Sequence, residues 1–483
     1  MGTIAVDVLY DKFGAALCDD TAAIFVGAGL SCASGFVNWR ELLRGITKDL
    51  DLDIDRESDL ISLAQYHVNK RGGQRGELNQ LIVDEFAKKA KTSENHQIIA
   101  NLPLDTVWTT NYDRLLEEAF EAAHRQVDVK TSQKSLAISH IGHGVTIYKM
   151  HGDVSDPSGA ILTKEDYETF EASRGAFSIK LKGDLLSRTF LFLGFSFSDP
   201  NIDYILARIR ALVNKDCRPH YCIMSWPKKP DRLVGSARAA YEYERKRLAL
   251  RLSDLSRYGI QAVMINEYAE LTPILQELGR RSHQRDIFVS GSAHDYSPLG
   301  KDRLENLARQ IGKRIANEGY NLTSGFGLGI GEHVTLGALE NLLHNPVTDL
   351  DSRLFLRPFP QTLPTGTSRK DFWTKYRREM LQRTGACIFV AGNKLDRRSN
   401  KVVGANGMIE EFDIACALGQ YPIPIGATGH MARNLWKEVT SNLDRYFPKG
   451  GVKTFFQILG DKNKTNEELL DAVFRILKHV TAV

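Results

Sequence analysis

Two doubly wound, Rossmann-like α/β domains with mainly parallel sheets are what this 483-residue sequence predicts. Three observations carry the expectation. Short apolar runs that read as buried strands alternate with stretches of helical periodicity. Those runs end in glycine or polar clusters. The alternation pauses at the charged segment 280–285 and then begins again, dividing the chain into residues 1–283 and 284–483. Alternation of this kind gives parallel sheets covered on both faces. Ligands in such sheets bind beyond the carboxyl ends of the strands.

Composition narrows the function classes. With 42% hydrophobic and 25% charged residues the chain can bury two cores. A net charge of +4, with both signs interspersed, argues against a nucleic-acid footprint. No apolar run approaches the length of a membrane span, and no signal peptide is evident. The six cysteines, at 18, 32, 217, 222, 387 and 416, form no C-x-x-C pair. That excludes a four-cysteine zinc site and suggests reduced thiols in a cytoplasmic protein, so no metal ligand is expected.

The first half is organised around TAAIFVGAGLSCAS. A strand over 23–26 runs into Gly27-Ala28-Gly29, with Ser31 just beyond. Such a turn lets backbone approach a ligand closely, and a helix opening after it favours an anion such as pyrophosphate. Before it, residues 1–20 read as a leading helix; after it, helices are expected over 40–50 and 57–70, with His67 as a packing or surface residue. At DTVWTTNYD a strand delivers Asn111 and Asp113, which can equally be read as caps of the next helix. VTIYKMHGD delivers His151, and TFLFLGFSFSDPN delivers Gly194, Ser196 and Asp199. Asp199-Pro200 also fits an N-cap with proline at the first helical position. Strands over 220–224 and 260–265 follow, separated by a charged, solvated helix within 228–257.

In the second half a strand over 287–289 leads into a small-residue turn, Ser290-Gly291-Ser292. A strand over 320–323 leads into SGFGLGIGEH, whose alternating glycines, Gly325, Gly327 and Gly329 among them, suggest bare N–H groups lining an anion site. A strand over 386–390 leads into Gly392-Asn393-Lys394. A mobile loop is expected over 396–407, then a helix over 408–417 with Glu410 and Glu411 in its first turn, where the helix dipole alone would favour them. A strand over 423–425 and a C-terminal helix finish the chain.

GAGLS, TTNYD, HGD and GFSFSDPN, in that order, resemble the sirtuin family over roughly residues 10–280. Two departures weigh against deacylation: the zinc-binding cysteines are absent, and GFVNWRELL stands where deacylases carry a Pro-Asp-Phe-Arg type sequence. SGSA, SGFGLGIG and NGMIEEF resemble the SLOG family of nucleotide-binding domains. The pairing is similar to the sirtuin–SLOG effectors of the bacterial Thoeris anti-phage system.

That resemblance implies a homotetrameric NAD hydrolase activated by a cyclic ADP-ribose isomer, itself made by a TIR-domain enzyme. It implies Asn111 and His151 as the catalytic pair, with NAD held by Gly27, Ala28, Gly29, Ser31, Asp113, Gly194, Ser196 and Asp199. The effector would bind Ser290, Gly291, Ser292, Gly325, Gly327, Gly329, Arg377, Lys394 and Glu411. NAD is then the substrate, and no cofactor is needed. Three alternatives stay open: an NAD-dependent deacylase, a SLOG enzyme cleaving nucleoside monophosphates, and a non-catalytic nucleotide sensor.

Overall fold

The computed structural model describes residues 2–481 except 89, 139–143, 198, 214–217, 232–233, 345–349, 361, 364–365, 367 and 397–398. Cys217 therefore lies outside the described residues. The chain divides into two compact units, Met1–Gly279 and Arg280–Val483. The charged segment 280–285, at which the alternation pauses, is partly helical, because Leu271–Ser282 continues through Arg280 and Arg281.

The first unit holds β1 (Thr3–Ile4), β2 (Ala22–Val26), β3 (Thr106–Thr109), β4 (Val127–Lys130), β5 (Val145–Lys149), β6 (Thr189–Leu193), β7 (His220–Ser225) and β8 (Ile260–Ile265). Their order is β1-β8-β7-β6-β2-β3-β5-β4, and every pairing is parallel. Side chains alternate across a strand, and here both faces are buried. Ile24 and Val26 of β2 join one core with Val107, Ile147 and Leu191. Ala23 and Phe25 join the opposite core with Trp108, Phe190 and Phe192. This two-sided burial is why the central strands read as unbroken apolar runs. From β2 the chain passes to β3 on one side and, later, to β6 on the other. The crevice between β2 and β6 is thus the switch point at which such sheets bind ligands. A third apolar cluster joins the helices Trp39–Asp49, Leu60–Lys70 and Gly76–Phe86 to Tyr112 and Leu162, forming a helical wall beside the strand ends.

The second unit holds β9 (Asp286–Ser292), β10 (Asn321–Ser324), β11 (Leu354–Leu356), β12 (Ala386–Ala391), β13 (Asn393–Asp396), β14 (Lys401–Gly404) and β15 (Tyr421–Pro424). Five of these form a parallel sheet in the order β11-β10-β9-β12-β15, with its own switch point between β9 and β12.

Four expectations need correction here. Ser290-Gly291-Ser292 is not a turn: β9 stays paired with β12 through Ser292. Within the expected 396–407 loop, of which 397–398 lie outside the described residues, Lys401–Gly404 is the strand β14, paired antiparallel with β13, and Val402 and Val403 suit a strand. The helix that follows starts at Asn406, so its first turn carries no acidic residue and the dipole does not account for Glu410 and Glu411. Finally, the chain ends in several helices, chiefly His430–Ser441, Lys453–Gly460 and Asn466–Thr481. Among the described residues no helix is long and apolar enough to cross a membrane.

Candidate active site and candidate effector site

At the β2–β6 crevice the glycines serve first to let two loops interlock. The Gly27 and Gly29 N–H groups donate to Leu193 O and Gly194 O, each at 2.9 Å. A Cβ on Gly27 would lie 2.5 Å from Gly194 O, and one on Gly194 would lie 2.4 Å from Leu30 N. Gly194 also needs a positive φ of 60°, open to glycine at little cost. Beyond the turn comes a single short helix, Ala28–Cys32.

A cleft of about 600 Å³ opens here, within the usual range for small-molecule sites. It is lined by Ala28, Gly29, Ser31, Asn111, Asp113, His151, Gly194, Ser196 and Asp199. Gly27 lies beneath it, its carbonyl accepting from Asn111 Nδ2 at 3.2 Å. The four strand-end clusters of the first half therefore meet in one place.

Asn111 is held on one side only. Its Nδ2 also donates to Ser31 Oγ at 2.9 Å, and Ser31 Oγ donates to Asp113 Oδ2 at 2.7 Å. With both donors engaged, the amide oxygen is buried without a hydrogen-bond partner. A buried acceptor left open is costly unless a ligand supplies the donor. Asp113 Oδ1 caps the next helix through Leu115 N at 3.1 Å, so the capping and site readings of Asp113 both hold.

His151 is buried, with its Nε2 3.2 Å from Asp199 Oδ2. The Tyr167 hydroxyl donates to the same oxygen at 3.1 Å. Burial by itself would raise the Asp199 carboxyl, but His151 and donors from Ile202 and Tyr167 hold it below the ordinary range. Asp199 Oδ1 meanwhile caps the helix Pro200–Val213 through Asn201 N and Ile202 N.

Lys149, overlooked in the motif VTIYKMHGD, ties the two loops together. Fully buried at the end of β5, its ammonium bonds the carbonyls of Tyr112 and Asp113 and the carboxylates of Glu117 and Asp153. Burial raises the Glu117 carboxyl, while Lys149 is held above its usual value by the two carboxylates despite its burial. A lysine in an otherwise apolar strand, two residues before the histidine, was the available signal. Trp39, Ser225, Arg251 and Tyr268 also line the cleft.

His67, expected on the surface or in packing, is buried 3.2 Å from Glu77. With Asp49 and Glu77 it makes the one group among the described residues close enough to share a metal ion. Arg71 Nη2 already stands 3.0 Å from both carboxylates.

In the second unit the close-approach role of glycine recurs. A Cβ on Gly327 would meet Gly291 O at 2.0 Å, and one on Gly329 (φ 78°) would meet Ala293 O at 2.4 Å. The loop after β10 is thus seated on the end of β9; Gly325 faces the Phe359 ring in the same way. Ser290 Oγ donates to Glu411 Oε2 at 2.6 Å. Arg377 Nε lies 3.3 Å from Glu411 Oε1, and its Nη1 lies 2.7 Å from Glu410 Oε2. The same guanidinium lies over Phe359. Burial raises the Glu411 carboxyl, opposed by Ser290 and Arg377. Ser290, Arg377 and Glu411 are therefore brought together, whereas Lys394 is exposed on the β13–β14 hairpin. Asn393, passed over in the sequence, is buried and pins the 293–295 backbone through His294 N and Asp295 N. Ser292 Oγ donates to Asn393 O at 3.0 Å.

Comparison with known proteins agrees with this two-part layout. The Sir2- and TIR-associating SLOG family matches residues 270–480, and the SIR2-like domain matches residues 105–248. The NAD(+) hydrolase ThsA of Bacillus cereus (strain MSX-D12) is 42% identical over 475 residues, covering 98% of each chain. Its counterpart from Cytobacillus dafuensis is 41% identical over 485 residues, 99% of this chain and 96% of that one. That from Acinetobacter baumannii (strain 532279) is 40% identical over 98% of each. Identity at this level along nearly the whole length means that the chain belongs to the ThsA family of NAD(+) hydrolases.

Proposed function

We propose that this chain hydrolyses the nicotinamide–ribose bond of NAD, with residues 1–283 as the hydrolase and residues 284–483 as a nucleotide sensor. The observation that carries the reading is the meeting of Asn111, His151 and the Gly27–Gly29 turn around one cleft. As the bond breaks, nicotinamide leaves with the electron pair and positive charge develops on the ribose. Water then adds to that carbon, yielding ADP-ribose and a proton. The open Asn111 amide oxygen is suited to hold a ribose hydroxyl or the incoming water. His151 is the general base, and Asp199 stabilises the imidazolium once the proton has moved. No metal or cofactor enters this sequence.

Regulation is assigned to the second unit. A cyclic ADP-ribose isomer, supplied by a TIR-domain enzyme, would compete with Glu410 and Glu411 for the Arg377 guanidinium, with Ser290, Gly291, Ser292, the glycine loop and Lys394 around it. It can activate only by binding the active state more tightly than the inactive one. In this reading the chain works in the bacterial cytoplasm as a homotetramer, and depleting NAD is its anti-phage output.

The test is nicotinamide release from NAD by the full chain, with and without cyclic ADP-ribose isomers. Ligand-dependent release supports both parts. Release that ignores every isomer removes the sensor assignment, and no release under any condition removes the hydrolase assignment.

A further inference from the structure

The helix Gly235–Arg257 carries several arginines, and most are already occupied. Arg238 pairs with Glu242, Arg257 pairs with Asp254, and Arg245 lies over the Trp226 ring. Arg251 differs. It is half-buried, and among the described residues it has no hydrogen bond or ion pair. Partial burial of an uncompensated guanidinium costs free energy, and such a group is a candidate for an anionic ligand. Burial and the neighbouring Arg247 both work against its charge.

Its position gives that anion a place. Arg251, on the helix Gly235–Arg257, lines the same cleft as Asn111 and His151, and that lining also includes Met224 and Ser225 from the end of β7. Across the sheet the order β7-β6-β2-β3 puts three strand spacings, about 14 Å, between β7 and the strand that delivers Asn111. With the nicotinamide end at Asn111 and the pyrophosphate over the β2–β6 turn, the adenosine half falls toward β7. In NAD that half carries no charge of its own beyond the pyrophosphate. In NADP it carries a 2′-phosphate, the group that an arginine commonly receives in dinucleotide-binding folds.

We infer that Arg251, in a cleft that Ser225 also lines, receives a 2′-phosphate on the adenosine ribose, so that NADP is a substrate of this cleft alongside NAD. The inference rests on the hydrolase reading for turnover, but not for binding. It is tested with the full chain and two probes, ADP-ribose and ADP-ribose 2′-phosphate, titrated by calorimetry into the wild type, Arg251→Gln and Arg251→Lys. Nicotinamide release from NAD and NADP is followed in parallel. The wild type is expected to bind the 2′-phosphorylated probe at least as tightly as the plain one. Arg251→Gln should lower that affinity ratio tenfold or more, with Arg251→Lys intermediate, and the NADP to NAD ratio of kcat/KM should fall with it through KM. Equal weakening of both probes would mean that Arg251 serves the pyrophosphate, and unchanged affinity for each would mean that it serves neither phosphate; each result overturns the inference. If neither dinucleotide is cleaved, the hydrolase reading fails while the two binding titrations still decide the role of Arg251.

Discussion

His151 and Asp199 arrive from different strand ends, β5 and β6, yet His151 Nε2 stands 3.2 Å from Asp199 Oδ2. The carboxylate is at once a helix cap and the histidine's partner. Asp199→Asn keeps a capping oxygen but removes the charge that stabilises an imidazolium. It is expected to lower kcat for nicotinamide release about tenfold or more, with the thermal midpoint little changed. Wild-type kcat in Asp199→Asn would show that the contact has no part in proton transfer.

Removing either member of the proposed catalytic pair is a stronger test. His151→Ala and Asn111→Ala should each reduce turnover by a factor of about 100 or more. Circular dichroism and thermal unfolding should report a folded chain in both. Retained turnover in either variant assigns the chemistry elsewhere.

Lys149 predicts a combined loss of stability and rate. Lys149→Met leaves Glu117 and Asp153 buried without their cation, a change that costs about 3–5 kcal/mol. Denaturant unfolding should detect that loss, and the freed 112–113 backbone should lower kcat as well. Adding Glu117→Gln and Asp153→Asn to Lys149→Met should restore part of the stability. No recovery would mean that the ammonium matters mainly through its carbonyl contacts.

In the second unit, Arg377→Ala is expected to abolish the response to cyclic ADP-ribose isomers while leaving ligand-independent turnover as it was. Calorimetry on the full chain should show the loss of isomer binding directly. Normal activation in this variant would place the effector elsewhere.

Acid should weaken the first unit. Burial lowers His220 to about 3 and His96 to about 4. In the unfolded chain both titrate near 6.5, so between these values the unfolded state binds more protons and stability falls as pH falls. At pH 5 each histidine contributes a loss on the order of 2 kcal/mol relative to pH 7. Thermal midpoints measured from pH 7 down to pH 5 should therefore decline, and less steeply in His220→Gln.

The sheet and its ligand edge were legible in the sequence because buried parallel strands make unbroken apolar runs that end abruptly in polar residues. Asn111, His151 and Asp199 could be marked one by one on that basis. Their meeting could not, since β2, β3, β5 and β6 become neighbours only through the strand order. Lys149 looked like an ordinary strand residue because its four partners, two carbonyls and two carboxylates, lie outside its strand. Glu411 was readable as a dipole partner until the helix start at Asn406 moved it into the second turn. The β13–β14 hairpin was missed because polar, glycine-containing sequence suits a loop as well as an exposed ribbon.

Gly27, Gly29 and Gly194 leave no slack between the two loops they join. The cleft floor is therefore a keel set during folding, before any nucleotide arrives, and neither loop can shift without carrying the other. An on–off switch acting on this site has to work through its walls, such as the helix Trp39–Asp49 or the His151 segment. Changes in substrate preference, by the same logic, accumulate at the rim.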